Sequence, residues 1–134
     1  MRSRLSTWLL SIVVTVFAAS GVTAAPALPT QTSSQSGVTV KVTPRDLVAG
    51  TWEFDVVFDT HSQELTDDLG KTAVLVSDGR TSHSPVKWQG DPPGGHHRKG
   101  VLEFKPVSPM PAAIELQIKR SGETAPRLFR WKLK

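Results

Sequence analysis

The chain has 134 residues, of which 16 are basic and 12 are acidic, and it contains no cysteine. Without cysteine it forms no disulfide, carries no cysteine-linked lipid and holds no blue-copper centre, which needs a thiolate ligand. Setting aside Arg2 and Arg4 as part of an export signal leaves 14 basic against 12 acidic residues, or +2, a charge too small to indicate nucleic-acid binding.

The first 24 residues have the pattern of a signal peptide. Arg2 and Arg4 precede an apolar run over 8–19, and Val22-Thr23-Ala24 offers the small residues that a signal peptidase recognises. The run is shorter than the roughly 20 residues of a membrane-spanning helix. We therefore expect cleavage after Ala24, no stable membrane span in the mature chain, and a periplasmic or extracellular location.

The segment 25–36 is rich in proline, serine, threonine and glutamine, and it has almost no large apolar residue. Such a composition buries too little surface to offset the entropy of ordering, so we expect a flexible linker. The remaining residues, 37–134, have the length of a single domain. That length is enough to bury a core without disulfides.

Alternation of apolar and polar residues dominates this domain and predicts about seven short strands separated by turns. This spacing favours an all-β, antiparallel immunoglobulin-like sandwich. The residues expected to face the core are Trp52, Phe54, Phe58, Leu102, Phe104, Ile114, Leu116, Phe129 and Trp131. The basic residues expected on the solvated face of the last strand region are Arg127, Arg130, Lys132 and Lys134.

Histidines mark the candidate site. His61 follows Asp59 at the end of a predicted strand, and His96 and His97 follow two glycines at the start of another. Imidazole is the commonest metal ligand and carries a proton near neutral pH. Because strands of a sandwich can be neighbours, the two histidine stretches can meet in space.

A set of imidazoles with one carboxylate suits copper(II) or zinc. The sequence thus predicts a metal site formed by His61, His96 or His97, and Asp59, in a non-catalytic exported domain. The alternative is a protein-interaction module, in which the Gly-His-His-Arg loop and the acidic loop over 65–69 pack together. A hydrolytic metalloenzyme is a third interpretation, for which the sequence offers no motif of a general base or of an open metal site. A nucleophilic hydrolase finds no support either, since there is no Gly-x-Ser-x-Gly motif.

These motifs together resemble a family of small exported prokaryotic β-domains. The resemblance rests on Asp-Thr-His-Ser at 59–62, Leu-Thr-Asp-Asp-Leu at 65–69, Trp-Gln-Gly at 88–90, Gly-His-His-Arg at 95–98 and Phe-Arg-Trp at 129–131. It covers most of the domain and implies that the two histidine stretches belong to one site. It implies no activity and assigns no role to any residue.

Processing is the first testable consequence. Expression in an export-competent host should release a chain that begins at Ala25, because the small residues before it fit the signal peptidase. Intact-mass measurement of the released protein decides this point. A mass that retains residues 1–24 would contradict cleavage and indicate an uncleaved anchor.

Overall fold

The structure, a computed structural model, describes residues 21, 28–45, 47 and 50–134. The predicted signal peptide and its cleavage point lie outside these residues, apart from Gly21. Over the described ranges, no helix has the length and hydropathy needed to cross a membrane.

The described residues form nine strands and one helical turn. In chain order the elements are β1 (Gln31–Gln35), β2 (Val38–Pro44), β3 (Trp52–Thr60), α1 (Leu69–Thr72), β4 (Ala73–Ser77), β5 (Thr81–His83), β6 (Lys87–Gly90), β7 (His97–Phe104), β8 (Ala113–Ile118) and β9 (Arg127–Lys132). Period-two burial runs through the longer strands, as in β3, where alternate residues are buried. Alternation places every second side chain on one face, which explains why these segments form strands.

Two antiparallel sheets make the sandwich. The first has five strands in the order β1-β2-β3-β7-β6, and the second has four in the order β5-β4-β8-β9. The order β2-β3-β7-β6 against β4-β8-β9 is the immunoglobulin-like arrangement of two Greek-key sheets. The predicted all-β sandwich is confirmed, with β1 and β5 as additional edge strands.

A single apolar core lies between the sheets. Phe54 on β3 contacts Trp131 on β9 across the interface, with ring centroids 5.8 Å apart, and meets Phe104 of the neighbouring strand edge-on at 5.7 Å. All nine residues predicted to face the core are buried. Burial of such large rings supplies most of the stabilisation of a cysteine-free domain.

The structure differs from the predicted linker over part of its length. Residues 31–35 form β1, which pairs antiparallel with β2 from Gln31–Val42 to Gln35–Val38. Arg127 of β9 donates to the main-chain oxygens of Ser33 at 3.0 Å and Gln35 at 2.9 Å. The segment is ordered without apolar side chains because its main chain is hydrogen-bonded on both sides.

Arg127 also departs from its predicted place on the solvated face of β9. It is 2% exposed and lies on the same side of the strand as Phe129 and Trp131, whereas Arg130 and Lys132 point outward as predicted. Strand alternation alone gives this result, since 127, 129 and 131 share a parity.

Candidate functional site

Asp59 and His97 form a pair on the outer face of the first sheet. β3 and β7 are antiparallel, and their register sets these two residues opposite each other. The His97 ring is hydrogen-bonded to the Asp59 carboxylate through Nδ1. In the neutral ring Nδ1 must therefore carry the proton, which leaves Nε2 with a free lone pair.

The other two candidate histidines lie at the same end of these strands. The amide of Thr60 donates to the carbonyl of His96 at 2.9 Å, which extends the β3–β7 ladder one step beyond the Asp59–His97 pair. His61 and His96 are both exposed. In the described part of the chain, no three histidine, aspartate or glutamate side chains are grouped as ligands of one metal ion. The structure thus brings Asp59 and His97 together and leaves His61 and His96 beside them as separate exposed side chains.

The glycine–histidine loop and the acidic loop are joined through their main chains. Leu65 donates its amide to the carbonyl of Gly95 at 3.0 Å, and the amide of Gly94 donates to the carbonyl of Leu65 at 2.8 Å. Leu65 is fully buried. These bonds satisfy polar groups that have no strand partner, and they fix the backbone from which the histidines project.

Arg98 lies beneath both loops, with only 1% of its surface exposed. Its guanidinium donates to the carbonyls of Asp67 at 2.7 Å, Leu65 at 3.3 Å and Asp91 at 3.2 Å. Its Nε is buried without a hydrogen-bond partner among the described residues. Carbonyl dipoles, rather than a carboxylate, therefore offset this buried charge.

Trp88 completes the surroundings of Arg98. The guanidinium carbon lies 5.7 Å from the indole centroid, within the range of a cation–π contact. The indole covers Gly100, where a Cβ would meet an indole carbon at 2.6 Å. Glycine at this position therefore lets the ring approach the sheet closely and lie beside Arg98.

Two further buried arginines lie at the neighbouring turn, and Arg120 joins this turn to the acidic loop. Arg120 forms a bidentate ion pair with Asp67 through Nε at 3.1 Å and Nη2 at 3.2 Å, and both side chains are at least 94% buried. Glu123 accepts hydrogen bonds from Arg127 at 2.6 and 3.0 Å. Hydrogen bonds from Arg127 lower the pKa of Glu123, so this carboxylate stays charged at neutral pH. The end of the sandwich that carries the histidines is thus braced by buried charges.

The carboxylates along β3 also find partners. Arg45 donates to Glu53 at 3.0 Å and to Asp55 at 2.8 and 3.0 Å. Arg45, which directly follows β2, therefore offsets the mutual repulsion of these two carboxylates. Arg98 does not contribute, since its side chain points to the opposite face of the sheet. His83 is remote from the site: its Nε2 lies 3.0 Å from the Ser77 hydroxyl, within the second sheet.

Sequence reasoning missed the buried arginines, although strand parity could have found Arg98. Leu102 and Phe104 face the core, so Gly100 and Arg98 share their face. The expectation that arginine is solvated concealed this consequence. The same holds for Arg120, which continues the buried parity of Leu116 and Ile118 just beyond β8.

Comparison of the chain with protein-family models, with curated proteins and with solved structures finds no match. The interpretation of the site therefore rests on its geometry and chemistry.

Substitutions at the neighbouring residues Asp67 and Asp68 test the stabilising role of the buried Asp67–Arg120 ion pair. Asp67→Asn should lower the free energy of unfolding by about 3 kcal/mol, because it removes the bidentate partner of buried Arg120 and leaves only Glu123, at 3.3 Å, to offset that charge. Asp68→Asn is the matched control: its side chain is 60% exposed and its ion pair with Lys71 is solvated, so the expected loss is at most about 1 kcal/mol. Urea unfolding of both variants measures the difference. Equal losses would contradict the assigned role of the buried pair.

Proposed function

We propose that the domain binds a divalent transition metal, copper(II) or zinc, at the end of β3 and β7. The hydrogen bond between Asp59 and the His97 ring is the observation that carries this proposal. In metal-binding histidines, the ring nitrogen that does not bind the metal commonly donates a hydrogen bond to a carboxylate. This hydrogen bond fixes the tautomer and raises the basicity of the ligand nitrogen. In this account Asp59 orients His97, and Nε2 of His97 is the first ligand.

His61 and His96 supply the additional imidazoles. The bond between Thr60 and His96 holds both histidine-bearing segments at one end of the sheet, so their backbones need not move. Their exposed side chains are free to change rotamer when a metal binds, at a cost in side-chain entropy. The site is therefore assembled by the metal from one oriented imidazole and one or two mobile imidazoles.

Imidazole ligands suit both copper(II) and zinc. Because imidazole must be unprotonated to bind a metal, affinity should fall as the pH drops below about 6.5.

The alternative function is a protein-interaction module with structural histidine loops. It is favoured by a different observation, the main-chain pairing of Leu65 with Gly94 and Gly95 above the buried Arg98. In that account, these hydrogen bonds hold the loops in one conformation, so that they present the same surface to a protein partner. His97 then serves only to hold Asp59, and no metal binds in the micromolar range.

Titration of the chelator-treated protein with copper(II) and with zinc distinguishes the two functions. We expect micromolar or tighter binding of at least one metal. His97→Ala should weaken it by at least about tenfold, and Asp59→Asn by about 10- to 100-fold, the range seen for outer-shell carboxylates. A His61→Ala/His96→Ala double variant should also lose affinity.

His83→Ala is the matched control, because this imidazole is bonded to Ser77 on the other sheet. Its affinity should equal that of the unmodified protein. If neither metal binds in the micromolar range, or if His97→Ala binds as tightly as His83→Ala, the metal function is excluded and the interaction module remains.

A further inference from the structure

The outer face of the second sheet carries a concave apolar surface that the histidine end does not use. A cavity of about 450 Å³ lies there, lined on β4, β8 and β9 by Val76, Ala113, Glu115, Arg130 and Lys132 and closed by the turn at Asp78 and Gly79. Cross-strand register places Val76 opposite Glu115, and Glu115 opposite Arg130. Most of these side chains therefore point away from the core and form one continuous surface.

The apolar character extends beyond the cavity along the same face. In the next cross-strand row, Val74 and Leu128 flank Gln117. Leu128 is 43% exposed, an unusual exposure for a large aliphatic side chain in this protein. Half-buried Val74 and Val76 and exposed Leu128 thus border a concave apolar cavity, an arrangement with the character of an interface core.

The charged groups around the cavity differ in what they have left to bind. Asp78 accepts the amides of Ala112 at 2.9 Å and Ala113 at 3.0 Å. Both oxygens of Glu115 are occupied, one by Gln117 at 2.6 Å and the other by Arg130. Glu115 is thus fully engaged within the domain, whereas Asp78 is engaged through Oδ1 alone.

The cations, in contrast, have unused donors. The ion pairs among the described residues do not include Lys132 or Lys134. Lys132 is exposed at the cavity, and Lys134 is held next to Ala112 through its amide. The Arg130 guanidinium is 69% exposed and bonds Glu115 through Nε. A ligand that reaches this rim meets unused donors of Arg130, Lys132 and Lys134, and among the described carboxylates of the lining only Asp78 keeps an oxygen, Oδ2, without a partner.

We propose that this face is a docking surface for an acidic segment of a protein partner, and that the segment inserts an apolar side chain into the cavity. Val74, Val76 and Leu128, which lie on either side of the polar β8 residues, match the apolar side chains of such a segment. Lys132 and Lys134 match its carboxylates, and complementary charge steers the encounter and fixes the register. A small aliphatic surface with few cations suits a peptide better than a lipid bilayer, which would contact a wider basic surface. This inference does not depend on the metal function.

Selection from a random peptide display library against the purified protein tests the proposal, because such a selection needs no identified partner. The enriched peptides should combine aspartate or glutamate with an aliphatic or aromatic residue. The changes in amide chemical shift that they cause in NMR spectra of the protein should map to Val76, Ala113 and Leu128. Affinity should fall with rising salt, because exposed charges are screened.

Matched variants locate the binding. Lys132→Glu should lower the affinity for an enriched peptide by about tenfold, since repulsion replaces attraction at the rim. Lys99→Glu, on the other sheet, should leave this affinity unchanged. Leu128→Ser should weaken it as well, whereas Val86→Ser, at an aliphatic residue that is 52% exposed elsewhere, should not.

Several results would overturn the docking surface. These are the enrichment of no peptide, enriched peptides without acidic residues, equal binding by Lys132→Glu and Lys99→Glu, or shift changes confined to the histidine end. Binding of anionic phosphatidylglycerol vesicles that Lys132→Glu abolishes, without peptide binding, would assign the face to a membrane instead.

Discussion

Buried arginines hold together the end of the sandwich that carries the histidines. Loops that leave a sheet lose their ladder partners, and every buried carbonyl among them needs a donor. The guanidinium of Arg98 meets three such carbonyls at once, which a lysine could not do in a fixed plane. Arg120 and Arg127 extend this arrangement to the next turn and to β1, with Asp67 and Glu123 as counter-charges. The loops are therefore fixed in place by buried charge and main-chain hydrogen bonds, together with the burial of Leu65 and Leu69.

The pair of Asp59 and His97 depends on this bracing. Neighbouring residues of a strand point to opposite faces, so the buried side chain of Arg98 directs His97 outward. The register of β3 and β7 then sets His97 against Asp59. β7 thus carries both the buried guanidinium of Arg98 and the exposed imidazole of His97. A buried guanidinium and an accessible ring nitrogen are two results of the same local geometry.

The sequence was sufficient for the fold and for part of the site. Period-two patterns identify the core faces of the long strands, because burial on one side imposes the alternation. The register between β3 and β7 cannot be obtained this way, since it depends on pairing between residues 38 positions apart in the chain. The order in β1 was missed because polar residues such as Ser33 are held by Arg127 through main-chain atoms, which leave no trace in side-chain patterning. Arg98 was recoverable from parity, and the assumption that charged residues are solvated obscured it.

The tautomer of His97 is the most direct measure of the central claim, that Asp59 orients this ring so that Nε2 is free to bind. Long-range proton–nitrogen correlation spectra at about pH 8, where imidazole is neutral, report which ring nitrogen carries the proton. The account predicts a proton on Nδ1 of His97 that is lost or redistributed in Asp59→Asn, while exposed His61 shows the tautomer mixture of a free imidazole. A proton on Nε2 of His97, or a mixture like that of His61, would contradict the account.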